Sequence, residues 1–129
     1  MAKSFRDLKV WHLSMDLTML VYALTSEFPK YEVYGLSSQM RRAAVSISSN
    51  LAEGSARSTK RDFRQCVVIA RGSNFELQTQ LMIAGRLSYA TVEKISEAES
   101  LCHEVARMLN GLSHFLDLKS APPSLTTKN

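Results

Sequence analysis

Hydrophobic residues recur at the three- and four-residue steps of an α-helix through most of this chain. A first helix is predicted over residues 7–28, and it has two apolar faces. One face carries Val10, Leu17, Val21, Leu24 and Phe28, and the other carries Trp11, Met15, Thr18 and Tyr22. Pro29 is predicted to stop this helix, and residues 30–35 are predicted to connect it to the next one.

The second helix is predicted from near Ser37 to near Gly54. Its apolar positions follow the helical period, and small residues flank them: Ala43, Ala44, Ser46, Ser48, Ser49 and Ala52. Small side chains let neighbouring backbones approach closely, so a central position in the packing is expected. Gly54 and Ser55 are predicted to provide the C-terminal stop.

The third and fourth helices each carry a coiled-coil-like apolar stripe. Ser58 is predicted to cap the third helix, whose stripe is Phe63, Val67, Ala70, Asn74, Leu77, Leu81 and Ala84. The fourth helix opens at Thr91, and its stripe is Ile95, Ala98, Cys102, Val105, Leu109, Leu112 and Leu116. A second stripe on the fourth helix indicates burial on more than one side, for which self-association is the simplest cause: Leu101, Met108, Leu112 and Phe115.

Short connections place successive helices antiparallel. The sequence therefore predicts an all-α, up-down-up-down antiparallel four-helix bundle over residues 1–119. Residues 120–129 have no periodicity and are predicted to form a flexible C-terminal tail.

Composition changes this picture only modestly. The 129 residues, 45% of them hydrophobic, fit one domain with a real core. Neither a signal peptide nor an apolar run of about 18 residues is visible, so a soluble cytoplasmic protein is expected.

Cys66 and Cys102 lie in separate helices without CxxC spacing, which favours reduced core thiols over a disulfide. The net charge of +4 favours an anionic partner, although 12 acidic residues are interspersed with the 16 basic ones.

Residues 34–54, YGLSSQMRRAAVSISSNLAEG, resemble the signature of the bacterial four-helix-bundle proteins also named ribosomal-RNA intervening-sequence proteins. Four other stretches are similar to that family: FRDLKVW from Phe5, ARGS from Ala70, ELQTQL from Glu76 and MLNGL from Met108. Asn74 followed by Phe75 departs from the family pattern, which more often has an apolar residue and then a small one.

The resemblance implies a left-turning helical bundle that assembles as a ring-like homopentamer. It implies no established reaction and no catalytic residues. The family name reflects genes found inside insertions of large-subunit ribosomal RNA genes, and gene position does not establish RNA binding. The architecture is more distantly similar to accessory proteins of diversity-generating retroelements, which bind a reverse transcriptase and nucleic acid.

The sequence gives little support for a metal, cofactor or nucleotide site. His103 and His114 share a helical face but are separated by roughly 16 Å, too far to share one metal. Arg107 occupies the place of the second histidine of an HExxH motif. GxSxG, phosphate-loop and GxGxxG motifs are absent, so no metal, cofactor or small-molecule substrate is expected.

A polar seam follows the second helix at helical spacing: Arg42, Ser46, Asn50, Glu53 and Arg57. The third helix carries a comparable seam of Ile69, Ser73, Glu76 and Gln80, and an antiparallel turn would bring the two together. An internal hydrogen-bonded network of buried groups is predicted from Ser46, Asn50, Glu53, Ser73 and Glu76. The alternative is an enzyme with Glu53 and Glu76 as paired acid and base.

Basic residues cluster around the same turn, and one basic edge of the bundle is predicted from them: Arg41, Arg42, Arg57, Lys60, Arg61, Arg64 and Arg71. The alternative is a solvated face with salt bridges to Asp62 or Glu53. Aromatic residues do not interleave with these cations, so nucleic acid would be held mainly through phosphates with little sequence preference.

The sequence therefore predicts a non-enzymatic homo-oligomer that binds RNA, DNA or a nucleic-acid enzyme through a repeated basic edge. A protein-binding scaffold without affinity for nucleic acid is the alternative from another class.

Overall fold

The computed structural model describes residues 4–120, with side chains described as far as Asp117. It contains four α-helices: α1 (Lys9–Thr25), α2 (Leu36–Ser55), α3 (Lys60–Arg86) and α4 (Val92–Ser120). Two short 3-10 turns, Phe5–Asp7 and Lys30–Glu32, precede α1 and α2. Residues 4–120 include no strand, which confirms the predicted all-α class. The predicted tail lies outside the described residues, apart from Ser120 at the end of α4.

Each helix packs antiparallel to the next, because positions that advance along one helix meet positions that recede along the other. For α1 and α2, Thr18 bonds to Ala44 and Thr25 bonds to Arg41. The other pairs follow the same rule: Ser73 with Ser46 and Cys66 with Gly54 for α2–α3, and Asn74 with Cys102 and Arg64 with Asp117 for α3–α4. Helices α1 and α4 also touch, so the four helices enclose one core.

The core is built from the predicted stripes. Its fully buried large side chains include Leu17, Val21, Met40, Ile47, Leu51, Val67, Leu77, Leu81, Val105, Leu109 and Leu116. Asn74 is buried in this stripe but is satisfied, since its Nδ2 donates to Cys102 O (3.2 Å) and its Oδ1 accepts from Gln78 Nε2 (2.6 Å). A polar residue at this point of the stripe is therefore compatible with the bundle.

Both cysteines are free and buried. Burial, together with the nearby Glu99 carboxylate, raises the pKa of the Cys102 thiol to about 12. A thiol that stays protonated at neutral pH is a poor nucleophile, so Cys102 acts as a small apolar core residue.

The ends of the helices differ from the predicted ones. Helix α1 ends at Thr25 rather than near Pro29, and the Thr25 and Ser26 hydroxyls donate to the carbonyls of Val21 and Ala23. Such local side-chain bonds compete with continued helix. At the start of α3 the N-cap is Thr59, not Ser58, because Thr59 Oγ1 accepts from the Asp62 amide (3.1 Å).

Gly54 is not a helix stop, since α2 continues through it to Ser55. A Cβ at this position would lie 2.8 Å from Cys66 Cβ and 2.8 Å from Phe63 Cδ1. Real Cβ atoms essentially never approach neighbours so closely. The glycine therefore lets the backbone of α2 rest directly on α3.

The apolar faces that were predicted to need a partner are buried to different extents in the single chain. On α4, Leu101, Met108 and Leu112 are partly buried and pack against the chain's own core, which the sequence pattern did not reveal. On α1, Met15 and Tyr22 are 36% and 40% exposed. Phe115, the fourth member of the α4 stripe, is 47% exposed, so both faces stay partly open in the single chain.

The Glu32 carboxylate joins the two connections at one end of the bundle. Its Oε1 accepts from the Leu36 amide at the start of α2 (3.0 Å), and its Oε2 accepts from the Tyr89 hydroxyl in the α3–α4 connection (2.7 Å). The Leu36 bond, followed by the Tyr89 bond, lowers the pKa of Glu32 below its usual value. Glu32 thereby caps α2, whose N-cap Gly35 has no side chain to do so.

Glu32→Gln is expected to lower the melting temperature at neutral pH, because the amide accepts both bonds less strongly. The folded-state pKa of Glu32 lies below the unfolded value, so its stabilisation is complete above the unfolded-state pKa and is lost as pH falls through the folded one. Melts of wild type and variant followed by circular dichroism should converge at acidic pH. A difference that stays constant from neutral to acidic pH would contradict the ionised cap. Asp16→Asn, at an exposed carboxylate in the middle of α1, is the matched control.

Candidate nucleic-acid interface

The basic residues predicted to form one edge are divided among four parts of the surface, which corrects that prediction. Arg41 faces α1, and Arg42 and Arg57 border the groove between α2 and α3. Lys60, Arg64 and Arg71 share the flank of α3 that faces α4, as the contact between Arg64 and Asp117 shows. Arg61 points outward. The cause is the helical period, which turns neighbouring cations to different flanks of the core.

Arg41 has a structural role between α1 and α2. Its Nε donates to Thr25 Oγ1 (2.8 Å), and its guanidinium carbon lies 4.7 Å from the centre of the Tyr22 ring. A cation over an aromatic face is attracted by the ring quadrupole. These two contacts hold Arg41 against α1 and make it a poor candidate for binding phosphate.

The predicted polar seam is partly at the surface. Ser46 is its centre, since its hydroxyl accepts from Ser73 Oγ (2.8 Å) and Asn50 Nδ2 (3.1 Å). The Glu53 and Glu76 side chains are exposed, which corrects the expectation that both are buried. Short Ser and Asn side chains stay in the crevice between the helices, whereas the longer carboxylates reach solvent.

The two carboxylates have separate surface partners. Glu53 forms an ion pair with Arg57 one turn later, and Glu76 accepts a bond from Gln80 Nε2 (3.4 Å). Arg42 instead lines a cleft of about 440 Å³ between α2 and α3, together with Gln39, Ala43, Ser46, Ser73 and Glu76. The groove between α2 and α3 therefore carries both signs of charge and is not a purely basic surface.

The groove between α3 and α4 contains Arg64 and Arg71, which differ from the other arginines in the surroundings of their Nε atoms. The Nε atoms of Arg64 and Arg71 are buried, and neither hydrogen-bonds to any residue that the structure describes. Arg64 Nε lies 3.7 Å from Asp117 Oδ1, which is beyond a hydrogen bond. Buried N–H groups normally have an acceptor. The side chains themselves are partly exposed, that of Arg64 by 40%, so both arginines lie where a guanidinium can donate to an acceptor from outside the described chain.

Helix α4 adds basic residues that the prediction missed, one arginine and two histidines. His103, Arg107 and His114 are exposed and recur at helical spacing, on the side from which Asp117 reaches Arg64. The two histidines are too far apart to share a metal ion. Their spacing relative to Arg107 places all three residues on one face of α4. Together with Lys60, Arg64 and Arg71 they define the α3–α4 basic groove, in which Asp117 is an acidic neighbour.

Metal-binding clusters and membrane-spanning helices are both absent from the described part of the chain. Residues 4–117 contain no group of three or more His, Cys, Asp or Glu side chains that could hold a metal ion. In the same part of the chain, every helix is too short or too polar to cross a membrane.

The profile of the 23S rRNA-intervening sequence protein family matches residues 6–111. The chain belongs to this family. Among solved structures, the fold is similar to a protein of unknown function from the S23 ribosomal protein family of Bacteroides thetaiotaomicron VPI-5482, with a TM-score of 0.76 and 21% identity. The likeness covers 81% of this chain and 97% of that one, and at this identity it shows the fold alone. No curated protein matches the chain.

The segment that carried the family resemblance, residues 34–54, forms most of α2 and the turn before it. Its small residues are the ones that the packing requires: Ala43, Ala44, Ser48 and Gly54 are all buried. Helix α2 has a more extensive contact with α3 than with any other helix. Gly54 serves the close α2–α3 contact, whereas Ala44 lies beside α1, where Thr18 Oγ1 donates to its carbonyl (3.3 Å).

Proposed function

We propose that this member of the intervening-sequence family is a non-enzymatic homo-oligomer that binds RNA through the α3–α4 basic groove. Arg64 and Arg71 support this function most directly, because both side chains are partly exposed on the same flank of α3. A phosphate is an acceptor that a guanidinium can bind through two parallel bonds. RNA is the nucleic acid to test first, because the family is named for intervening sequences of 23S rRNA.

Phosphate contacts position a nucleic acid without reading its bases. Lys60 and Arg107 add positive charge near the two arginines, and such cations contact phosphates whatever the base sequence. Binding should therefore depend on ionic strength far more than on sequence.

Self-association is supported by apolar side chains that the single chain leaves open. Met15 is 36% exposed, Met19 65% and Tyr22 40%, and all three lie on one side of α1. Closed rings, including the homopentamer implied by the resemblance, repeat each surface once per subunit. Repetition of the α3–α4 basic groove would raise the affinity for one long RNA without any new contact.

A protein-binding scaffold remains the second candidate, because one open cleft is suited to an apolar ligand. Tyr22, Val33 and Val45 line a cleft of about 510 Å³ beside α1 and α2, together with Arg41 and Arg42. A scaffold of this kind would bind a protein partner and leave RNA unbound.

Fluorescence anisotropy of a labelled single-stranded RNA, titrated over a series of salt concentrations, distinguishes the two candidates. The logarithm of the binding constant should fall linearly with the logarithm of salt, with a slope of about −2 to −3 if three or four phosphates are contacted. Two RNAs of unrelated sequence should bind within a few-fold of each other. Absence of binding at about 50 mM salt would reject the RNA-binding function and favour the scaffold.

A further inference from the structure

Helix α3 presents a second stripe that faces away from the core. Its members recur at alternating four- and three-residue steps and are all exposed: Val68, Gly72, Phe75, Thr79, Met82 and Arg86. Phe75 is 54% exposed and Met82 53% exposed, so large apolar side chains lie open along this outer α3 stripe. Two neighbours, Ile69 (54%) and Ile83 (43%), widen it. An apolar stripe of this spacing is the pattern on which another helix packs.

Gly72 has no function within the single chain. A Cβ at this position would meet nothing within 4 Å, in contrast to Gly54. Glycine in the interior of an exposed helix is destabilising relative to alanine. The absence of a side chain is useful only if another backbone approaches α3 here, so Gly72 marks the place of closest approach for an external helix.

Helix α4 carries a stripe with the same spacing: Glu97, Leu101, Glu104, Met108, Gly111 and Phe115. Gly111 resembles Gly72, because a Cβ there would also meet nothing within 4 Å. Each stripe is about 27 Å long at a rise of about 1.5 Å per residue. The α4 stripe lies beside α1 and is partly open, with Leu101 and Met108 half-buried.

The charges of the two stripes are opposite. Arg86 ends the outer α3 stripe, and Arg61 lies on the same outward side one to two turns before Val68. The α4 stripe carries Glu97 and Glu104 instead. Pairing α3 with α3 of a second copy would bring arginines together, whereas pairing α3 with α4 brings opposite charges together.

We infer that the outer α3 stripe of one copy docks against the α4 stripe of the next copy, with Gly72 and Gly111 allowing the helices to approach. The inference rests on the self-association proposed above and assigns the main contact between copies to α3 and α4 rather than to the open side of α1. A contact between two different surfaces is heterologous, so successive copies form a closed ring or an open filament rather than a twofold dimer.

Gly72→Gln and Gly111→Gln test the two stripes separately. Glutamine adds bulk without charge and favours helix, and both positions have open space within the chain, so each variant should keep the wild-type melting temperature of the subunit or exceed it. Each variant alone should be a monomer of 14.4 kDa at micromolar concentration, while wild type is larger. Ser49→Gln, an exposed position on α2, is the matched control and should assemble like wild type.

A one-to-one mixture of the two variants gives the decisive result. Each chain then offers one intact stripe that the other lacks, so the mixture should sediment as a dimer of about twice 14.4 kDa. A mixture that stays monomeric, or glycine variants that assemble like wild type, would overturn the pairing of α3 with α4. A monomeric wild-type protein would instead reject the proposed self-association itself.

Discussion

Replacing Gly54 with alanine should clearly destabilise the fold. The new Cβ would lie 2.8 Å from Cys66 Cβ and from Phe63 Cδ1, inside a contact between two helix backbones that cannot easily separate. Overpacking of this kind costs about 1–3 kcal/mol. The melting midpoint should fall by roughly 4–12 °C for a domain of this size.

Gly85→Ala is the matched control. Its Cβ would meet Ile95 at 3.6 Å, an ordinary van der Waals distance, and Gly85 lies near the end of α3. Alanine there should preserve or slightly raise the stability, because it reduces the conformational entropy of the unfolded chain. Equal melting temperatures for Gly54→Ala and wild type would show that α2 and α3 are farther apart than described.

Reversing charge in the α3–α4 basic groove should weaken RNA binding strongly. Lys60→Glu with Arg107→Glu reverses two cations of the groove, and a negative charge at Lys60 suits the first turn of α3. The affinity should fall by roughly 10- to 100-fold, and the salt slope should flatten by about 1.4 for single-stranded RNA. The loss should be similar for all RNA sequences.

A control with the same change in net charge separates the groove from a general charge effect. Lys9→Glu with Lys30→Glu alters two exposed lysines on other parts of the surface and should weaken binding only slightly. Lys94 is unsuitable as a control because its Nζ bonds to the Glu27 carboxylate (3.0 Å). Equal losses for the groove pair and the control pair would contradict a localised interface.

The helices and their buried stripes could be predicted because apolar periodicity is a local property. The stripe from Phe63 to Ala84 faces the core as its spacing indicates. Helix ends were less predictable, since they depend on single hydroxyl groups such as those of Thr25 and Thr59. The role of Gly54 could not be predicted, because it depends on which side chains of another helix would lie 2.8 Å from a Cβ at this position.

The candidate site was predicted in composition but not in arrangement. Arg64 and Arg71 are seven residues apart and do share a flank of α3, as expected. Their partners proved to lie on α4 rather than α2, because the core stripe separates the flank of Arg71 from that of Ser73. The angular position of each polar residue around α3, relative to the core stripe, predicts this division. It also predicts the outward position of Phe75. The burial of Arg64 Nε required the packed structure.

Sedimentation velocity of the wild-type protein mixed with labelled RNA, at about 50–100 mM salt, tests the central claim most directly. The RNA label is expected to sediment with a protein species several times heavier than the 14.4 kDa chain, and to separate from it as salt is raised. RNA that sediments alone at low salt, beside a protein of any mass, would contradict the account.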